Sequence, residues 1–382
     1  MVDLKKLKRH FFRKSREFNF FLIVTPSFEE LALKELKEVY SNIKNIEIIK
    51  GGIYFSADLN VISAVHNYCR IPIRLLLRLG TYICNSEKQI YKNLSQIEFE
   101  NYLGNNVLNI KVYSRSSWIY NEKKLESIIR NFFIEKYKNI FSFGDNGITL
   151  FFRMNHNKLT ISIDLTGDPL YKRGISKLKS QTPMRECNIA AAIKLIDNFD
   201  KYKFIIDPFC GSGTILIELY MKLKNILPKR EFNYSKMPIV YFIKNTDISY
   251  QASLKNIAHI FIGLDISFKN LKIFKKNIDN LFAIDNLFAK NLIEVINANA
   301  LSLPLKLGKD EFIIFSNPPF GWKLLDKNKA DSLLHSFFEI MFERYGNFKF
   351  GVFYPDNKLL DSLSSDKVTF PFGGHKINFY YN

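Results

Sequence analysis

The chain has 382 residues, of which 47% are hydrophobic, and it carries 55 Lys and Arg against 37 Asp and Glu. This apolar content is too high for a disordered chain, and four cysteines are too few for a disulfide scaffold. The net charge of +18 is spread evenly, because residues 1–166 hold 25 basic and 16 acidic side chains and the remainder holds 30 and 21. The length predicts two or three domains, and the charge favours a polyanionic partner such as nucleic acid.

The first 65 residues predict a basic arm and a small α/β unit. Residues 1–18 carry seven Lys or Arg and two acids. The apolar run Phe21–Val24 predicts a strand. It is too short for a signal peptide, and no small-residue cleavage site follows it. A helical pattern and a Gly51-Gly52 turn into a second strand then indicate a ferredoxin-like flank over residues 19–65.

Residues 66–166 predict a further α/β unit. Strands are expected near residues 73–79, 107–114, 148–153 and 159–165, with a helix over 122–137. The loop from Ser114 to Trp118 stands at a strand end, where Arg115 is expected to contact phosphates and Trp118 to stack on a base. A purely structural loop is the alternative.

A basic hinge follows the second unit. Its only acids are Asp168 and Glu186, at its edges, whereas its basic residues are Lys172, Arg173, Lys177, Lys179 and Arg185. Thr182-Pro183 predicts the start of a helix, since a side-chain acceptor precedes a residue that has no N–H. We expect the hinge to face RNA phosphates, and a solvated linker is the alternative.

The segment from Lys203 predicts a strand, a glycine turn and a helix. The apolar run Phe204–Ile206 leads to Asp207-Pro208-Phe209-Cys210-Gly211-Ser212-Gly213-Thr214. Glycines let the backbone approach a ligand, and free N–H groups at a helix start bind carboxylates, which suits the amino-acid end of S-adenosylmethionine. A nicotinamide-binding loop would require a third glycine at position 216, which is Leu, and the Lys-Ser/Thr pair of a phosphate-binding loop is absent.

Two further strands are expected to supply cofactor contacts. The strand Ile260–Leu264 ends at Asp265, where α/β folds place an acid that binds ribose hydroxyls. A carboxylate that caps the next helix is the alternative. Asn299 follows an apolar run at residues 292–296 and could bond the adenine edge, although it could equally be a turn residue.

The tetrapeptide Asn317-Pro318-Pro319-Phe320 carries the most specific chemistry. The Asn317 side-chain oxygen and the Pro318 carbonyl are both acceptors, and together they can bind the two hydrogens of a planar exocyclic amine. Phe320 can stack on the ring that bears that amine. The preceding apolar run, residues 312–316, predicts a strand, so the tetrapeptide lies at a strand's carboxyl end. The alternative is an ordinary Pro-rich turn.

With these motifs, the chain resembles the RNA guanine-N2 methyltransferases that carry an N-terminal THUMP domain. The resemblance covers nearly the whole chain and includes Asp164–Gly174 at the junction and Thr182–Glu186 beside the cofactor. It departs from the family at Asn299, where Asp is usual, and at Met184, where Leu is usual. It implies a C-terminal Rossmann-like class I methyltransferase domain, with a mostly parallel sheet and an antiparallel C-terminal strand, over residues 167–382. It also implies a THUMP domain over 66–166, after the arm 1–18 and the flank 19–65.

The resemblance also implies S-adenosylmethionine as cofactor and RNA as substrate, with ribosomal RNA the first choice and transfer RNA the second. Catalysis is assigned to Asn317, Pro318, Pro319 and Phe320. Cofactor binding is assigned to Thr182, Arg185, Asp207, Phe209, Gly211, Gly213, Thr214, Asp265 and Asn299. RNA contact is assigned to Arg115, Lys172, Arg173, Lys177 and Lys179.

Three other functions share parts of this pattern. A DNA amino-methyltransferase would be expected to carry a target-recognition region, and a protein glutamine methyltransferase a helical N-terminal domain. The third is an RNA-binding assembly factor without catalysis. The cysteines and histidines show no metal-ligand spacing, so neither a metal nor disulfides are expected. No apolar run predicts a membrane span, and the expected location is the cytoplasm.

Overall fold

The computed structural model describes residues 4–13, 17–175, 178, 184–244, 259–285, 292–303, 307, 308, 311–321 and 326–382. The chain divides into two compact units. Unit 1 holds Met1–Val24, Leu33–Leu170 and Arg230–Ile248, and unit 2 holds Thr25–Ala32, Tyr171–Lys229 and Ser249–Asn382, where described. None of the helices in the described ranges combines the length and the apolar character that crossing a lipid bilayer requires.

The described residues form strands and α-helices in the following order. The strands are β1 Phe18–Ile23, β2 Lys44–Ile49, β3 Gly52–Ala57, β4 Arg74–Ile83, β5 Leu108–Arg115, β6 Ile148–Asn155, β7 Lys158–Asp164, β8 Phe204–Asp207, β9 Ile260–Asp265, β10 Ile293–Asn297, β11 Phe312–Ser316, β12 Lys349–Tyr354, β13 Asp366–Phe372 and β14 His375–Tyr381. The helices are α1 Leu4–Arg13, α2 Glu29–Val39, α3 Asn60–Tyr68, α4 Glu87–Ser95, α5 Phe99–Leu103, α6 Glu122–Tyr137, α7 Glu186–Ile193, α8 Thr214–Leu223, α9 Phe268–Asp285, α10 Lys327–Tyr345 and α11 Lys358–Leu363.

Unit 1 is built on one seven-stranded sheet in the order β2-β3-β1-β4-β7-β6-β5. Strand β1 pairs with both β3 and β4, so the predicted flank and the predicted second α/β unit share a sheet rather than forming separate ones. The basic arm forms helix α1, whose Leu7 and Phe11 are buried, and Phe11 packs 5.2 Å from the ring of Phe242. The assignment of residues 66–166 to a THUMP domain remains a prediction.

Residues 230–244 pack with unit 1, which differs from the predicted domain boundaries of 167–382. The rings of Phe232 and Tyr234 lie 4.6 and 4.9 Å from the ring of His66, and Arg230 donates to the carbonyl of Pro169 at 3.0 Å. Burial lowers the pKa of His66 to about 3, so this ring is neutral and packs as an aromatic. The sequence pattern does not predict this assignment, because it arises from contacts distant in the chain.

Unit 2 is built on a second seven-stranded sheet in the order β10-β9-β8-β11-β12-β14-β13. Strands β8 to β12 pair in parallel, whereas β14 pairs antiparallel with β12 and with β13. This confirms the predicted mostly parallel sheet with an antiparallel C-terminal strand. The strand order reverses between β8 and β11, and such switch points are where open α/β sheets bind ligands.

Candidate active site

The glycine turn and the Asn-Pro-Pro-Phe segment meet at the carboxyl edge of the unit 2 sheet. Strand β11 pairs in parallel with β8, and Ile314 stands beside Ile206. At the ends of these strands the Ser316 hydroxyl donates to Asp207 Oδ1 at 2.5 Å. Because Asp207 begins the turn and Ser316 directly precedes Asn317, the two predicted motifs line one site.

The glycine turn is held by hydrogen bonds to its neighbours. Asp207 Oδ1 accepts from the N–H of Phe209 at 3.1 Å, and the N–H of Gly211 donates to Asp265 Oδ2 at 2.9 Å. The N–H of Cys210 donates to the carbonyl of Leu264 at 2.9 Å. These contacts fix the turn against strand β9 and direct the start of helix α8, at Thr214, toward the same edge.

Gly213 is required by packing as well as by backbone conformation. Its φ is 78°, in the left-handed region, and a Cβ at this position would lie 2.0 Å from the Phe274 ring of helix α9. The sequence pattern predicts that Gly213 leaves room for a ligand. The structure shows a different cause, since the space beside Gly213 is filled by an aromatic side chain of the protein.

Replacement of Gly213 by alanine is therefore expected to lower the free energy of unfolding by about 2–3 kcal/mol, through backbone strain and overpacking. The matched control is Gly346→Ala, because φ is 64° there but no atom lies within 4 Å of the added Cβ. The control should cost about 1 kcal/mol. Urea denaturation measures both changes, and equal losses would show that the Phe274 contact contributes nothing.

Asp265 and Asn299 are both engaged in local hydrogen bonds. Asp265 Oδ1 accepts from the N–H of Ser267 at 2.7 Å, so this carboxylate caps the following turn while its other oxygen holds Gly211. The Asn299 side chain accepts from the N–H of Leu301 at 3.0 Å, which is the turn role given as its alternative. The Asn270 amide lies 3.4 Å from both Asp265 oxygens, so a ribose hydroxyl would have to take the place of this long contact.

Asp207 is fully buried beneath the turn. Burial raises the pKa of its carboxyl group to about 7, with a contribution from the Asp265 charge, against the hydrogen bonds from Ser316 and Phe209. The site therefore places one carboxyl group that is easily protonated below the turn and another, Asp265, beside it.

We expect the protonated Asp207 to give a pH dependence of stability. Between the ordinary pKa of 3.8 and about 7 the folded chain keeps a proton that the unfolded chain releases, so stability falls as the pH rises through this window and levels off above it. Asp207→Asn preserves the shape of the side chain but cannot titrate, so it should remove this pH dependence. The measurement is the difference in unfolding free energy between the two proteins from pH 4 to pH 8. A difference independent of pH would contradict the raised pKa.

The Phe320 ring is the buried part of the Asn-Pro-Pro-Phe tetrapeptide. Asn317 is partly exposed, whereas Phe320 is only 7% exposed and its ring meets the Tyr354 ring edge to face at 6.2 Å. The Tyr354 hydroxyl donates to Asp331 at 3.0 Å, which fixes that ring in turn. Strand β12, through Tyr354, therefore holds the Phe320 ring in place.

Comparison with known proteins identifies the family of the C-terminal part of the chain. A family model described as an RMKL-like methyltransferase domain matches residues 173–369, more than half of the 382-residue chain. The chain belongs to this family. The match spans the glycine turn, Asp265 and the Asn-Pro-Pro-Phe segment.

The RMKL-like chain also matches curated relatives. It is 27% identical over 354 residues to the ribosomal RNA large subunit methyltransferase K/L of Buchnera aphidicola subsp. Acyrthosiphon pisum, covering 88% of this chain and 49% of the relative. It is 26% identical to the methyltransferase of the same name from Shewanella amazonensis, with 91% and 50% coverage. The chain thus spans about half the length of the curated relatives it matches.

Solved structures share the fold along the chain. A possible methylase from Clostridium difficile 630 has a TM-score of 0.78 at 22% identity, covering 96% of this chain and 97% of that one. The putative methyltransferase SMU.472, complexed with S-adenosylhomocysteine, has a TM-score of 0.80 at 21% identity, covering 96% and 98%. These likenesses confirm the predicted Rossmann-like class I methyltransferase fold.

One predicted RNA contact of the RMKL-like chain is wrong. Arg173 is buried and forms a two-point ion pair with Glu218, with N···O distances of 2.8 and 3.2 Å. Burial disfavours the charged guanidinium, but Glu218 outweighs it and raises the pKa of Arg173. A guanidinium enclosed in this way cannot reach a phosphate.

Of the other residues predicted in the hinge, some are exposed and some lie outside the described ranges. Lys172 and Arg185 are exposed, and the Arg185 guanidinium lies 5.8 Å from the Tyr171 ring centroid. Thr182, Lys177 and Lys179 lie outside the described residues. In unit 1, Arg115 is exposed, whereas the indole N–H of Trp118 donates to the carbonyl of Cys84 at 2.6 Å.

Two buried polar residues of the site were not predicted. Ser316 donates the hydrogen bond to Asp207. The sequence feature that could have identified it is a single hydroxyl at the end of an otherwise apolar strand. Asn277 donates to the carbonyls of Ser212 at 3.0 Å and of Leu178 at 2.9 Å, and thereby ties helix α9 to the glycine turn. The sequence feature that could have identified Asn277 is an amide on the buried face of an amphipathic helix.

The thiol of Cys210 is unsuited to nucleophilic attack. Burial raises its pKa well above the ordinary value, and the nearby acids Asp207 and Asp265 add to this rise. All four cysteines are buried free thiols. Within the described ranges, no group of three or more His, Cys, Asp or Glu side chains is arranged to hold a metal ion.

Proposed function

We propose that this chain is an S-adenosylmethionine-dependent RNA methyltransferase that methylates N2 of a guanosine in large-subunit ribosomal RNA. The supporting observation is the Ser316–Asp207 hydrogen bond of 2.5 Å, which brings the glycine turn and Asn317 to one edge of the sheet. The names of the curated relatives support the choice of ribosomal RNA. An enzyme with this substrate would work in the cytoplasm.

The residues present fit the cofactor. The turn around Gly211 has a φ of 53° and leads into the start of helix α8, which favours a carboxylate, and Asp265 stands at the end of the next strand. Residues 211–214 would hold the amino-acid end, Asp265 the ribose hydroxyls and Asn299 the adenine. When bound, S-adenosylmethionine supplies the electrophilic methyl group.

The chain's own groups would act mainly by positioning. Asn317 Oδ1 and the Pro318 carbonyl would accept the two amine hydrogens of guanine, and Phe320 would lie against the base plane. The amine lone pair is delocalised into the ring, so holding the nitrogen in line and favouring its pyramidal form lowers the barrier. The product loses its proton to water, and no dedicated base is required.

The target guanosine has to leave its stack to enter such a site. This costs a few kcal/mol, and contacts elsewhere on the RNA have to offset it. The basic excess of both halves of the chain, nine charges each, provides such contacts through release of counterions. Transfer RNA carries the same amine and is the second candidate substrate.

The test is mass spectrometry of nucleosides from ribosomal and transfer RNA fractions of cells with and without the gene. Loss of N2-methylguanosine from ribosomal RNA is the expected result, and restoration by the purified chain in vitro would tie the product to it. Loss from transfer RNA alone would make transfer RNA, and not ribosomal RNA, the substrate. Formation of a ring-nitrogen product such as N7-methylguanosine by the purified chain would contradict the chemistry, because N7 carries no hydrogens for Asn317 and Pro318 to bind. An unchanged profile would favour the assembly factor.

A further inference from the structure

Among the described residues of unit 1, one face of the sheet is exposed or half-buried along strands β5 and β6 and along the adjoining parts of β4 and β7, residues 78–83 and 158–160. Along β5 and β6 the buried residues alternate with exposed or half-buried ones. The buried set packs toward helix α6. The residues that point to the opposite face and are exposed or half-buried are Arg78, Thr81, Ile83, Asn109, Lys111, Tyr113, Arg115, Thr149, Phe151, Arg153, Asn155, Lys158 and Thr160. We call this set the open face. Leu76, Ser162 and Asp164 point the same way but are buried.

Aromatic rings and arginines are interleaved on the open face. The Tyr113 ring is 46% exposed and stacks on Phe151 at 6.4 Å with an interplanar angle of 26°. The Arg153 guanidinium lies 5.7 Å from the Tyr113 centroid. The register places Arg153 opposite Tyr113 on β5 and opposite Thr160 on β7, so this cluster lies on the last two strands at the β5 edge of the sheet.

The open face is strongly basic. The set contains no acid and five basic side chains, namely Arg78, Lys111, Arg115, Arg153 and Lys158, and the buried Asp164 beyond its border is paired with Arg74. Burial lowers the pKa of Arg78, and the positive charge of Arg153 adds to that effect. Like charges held this close favour an anion between them.

Arg78 is fixed as a donor at the inner side of the open face. Its guanidinium lies 5.0 Å from the ring centroids of both Phe21 and Tyr54, and it donates to the Ser162 hydroxyl at 2.7 Å. Its Nε is buried and has no acceptor among the residues that the structure describes. The half-buried guanidinium therefore adds a fixed positive charge at the border of the open face.

We propose that the open face binds a single-stranded segment of the RNA substrate, with bases stacked on Tyr113 and Phe151 and phosphates held by Arg78, Arg153 and Lys111. This rests on the proposed function and extends it to a second contact site. A flat sheet with exposed rings suits unstacked bases, because every base offers a π-face, whereas a duplex hides those faces. The site adjoins the Ser114–Trp118 loop at Arg115 but does not use the indole of that loop, which already donates to the carbonyl of Cys84.

The test compares two double variants of the full chain. Tyr113→Leu with Arg153→Gln removes one ring and one charge from the open face. The matched control, Tyr241→Leu with Lys123→Gln, removes an exposed ring and an exposed charge of unit 1 that lie off this face. The probe is a fluorescent single-stranded oligoribonucleotide titrated over a range of salt concentrations, with its duplex form alongside. Circular dichroism and calorimetry with S-adenosylmethionine check that folding and cofactor binding are unchanged.

The open-face variant is expected to bind the single strand about tenfold or more weakly, and its salt slope should fall by about 0.7 for each phosphate that the chain no longer neutralises. The control should bind like the unsubstituted chain, and duplex binding should be weak throughout. Equal affinities for the two variants, or a stronger binding of duplex, would overturn the open-face proposal while leaving methyl transfer to be judged by nucleoside analysis. Tight single-strand binding that depends on Tyr113, in a chain that transfers no methyl group, would overturn the proposed function alone.

Discussion

Replacement of Asn317 by alanine is expected to slow methyl transfer by about a hundredfold or more and to leave S-adenosylmethionine affinity nearly unchanged. The side-chain oxygen is one of two acceptors that would orient the amine, and groups that act on the reacting atoms in this way typically contribute about two to three powers of ten. Asn317 is partly exposed at the end of β11, so truncation leaves no large cavity. Single-turnover transfer of a labelled methyl group to ribosomal RNA measures the rate, and calorimetry measures cofactor affinity.

The matched control for Asn317 is Asn328→Ala. Asn328 is an exposed amide of the same unit near the start of helix α10, and in the described part of the chain its hydrogen bonds, with Asp326 and Ser332, use its backbone groups. Its variant should transfer methyl groups at the normal rate. If Asn317→Ala also transfers at that rate, the amine is not held by this side chain, and the assignment of the tetrapeptide to catalysis fails.

The parts of the fold that depend on local pattern could be predicted from the sequence. Strands β8, β9 and β11 are short apolar runs that end in Asp207, Asp265 and Ser316, and each lies within a residue or two of its predicted bounds. Parallel strands end at the same edge, so residues placed after them converge. That rule alone predicts that the glycine turn and the tetrapeptide come together, and the Ser316 hydrogen bond confirms that they meet.

The parts that depend on distant packing could not be predicted. The glycine pattern at Gly213 indicates room for a ligand, but the neighbour of Gly213 is Phe274, which lies far along the chain. Residues 230–244 fall within the range predicted for the catalytic domain, 167–382, yet Phe232 and Tyr234 pack on His66 of unit 1. Hydrophobic periodicity reports that a side chain is buried, but it does not report which partner buries it.

Arg173 shows the same limit for charged residues. Its place within a basic run predicts contact with RNA, together with Lys172, because charge clusters on surfaces bind polyanions. Its position is decided by Glu218, which is the single acid on the mainly apolar helix α8. A single acid among apolar residues of a buried helix signals a buried cation, and that signal is present at Glu218.

The second large effect is expected at this ion pair. Both side chains have 0% exposure, and the pair makes two hydrogen bonds, of 2.8 and 3.2 Å. Arg173→Met leaves a buried carboxylate without its guanidinium, so the free energy of unfolding should fall by about 3–5 kcal/mol. Replacing both partners, as Arg173→Met with Glu218→Leu, should recover much of that loss, because two apolar side chains of similar volume leave no buried charge. Urea denaturation of the three proteins measures these differences.

Lys172→Ala is the matched control, because Lys172 is the exposed neighbour of Arg173 in the same basic run. Its stability should change by less than about 0.5 kcal/mol, the usual range for a surface substitution. If Lys172 contacts RNA as predicted, its variant should bind RNA more weakly and with a smaller salt slope, whereas the double variant at Arg173 and Glu218 should bind RNA normally once folded. A double variant that is stable but binds RNA weakly would indicate that Arg173 contacts RNA. That result would contradict its role as a buried structural cation.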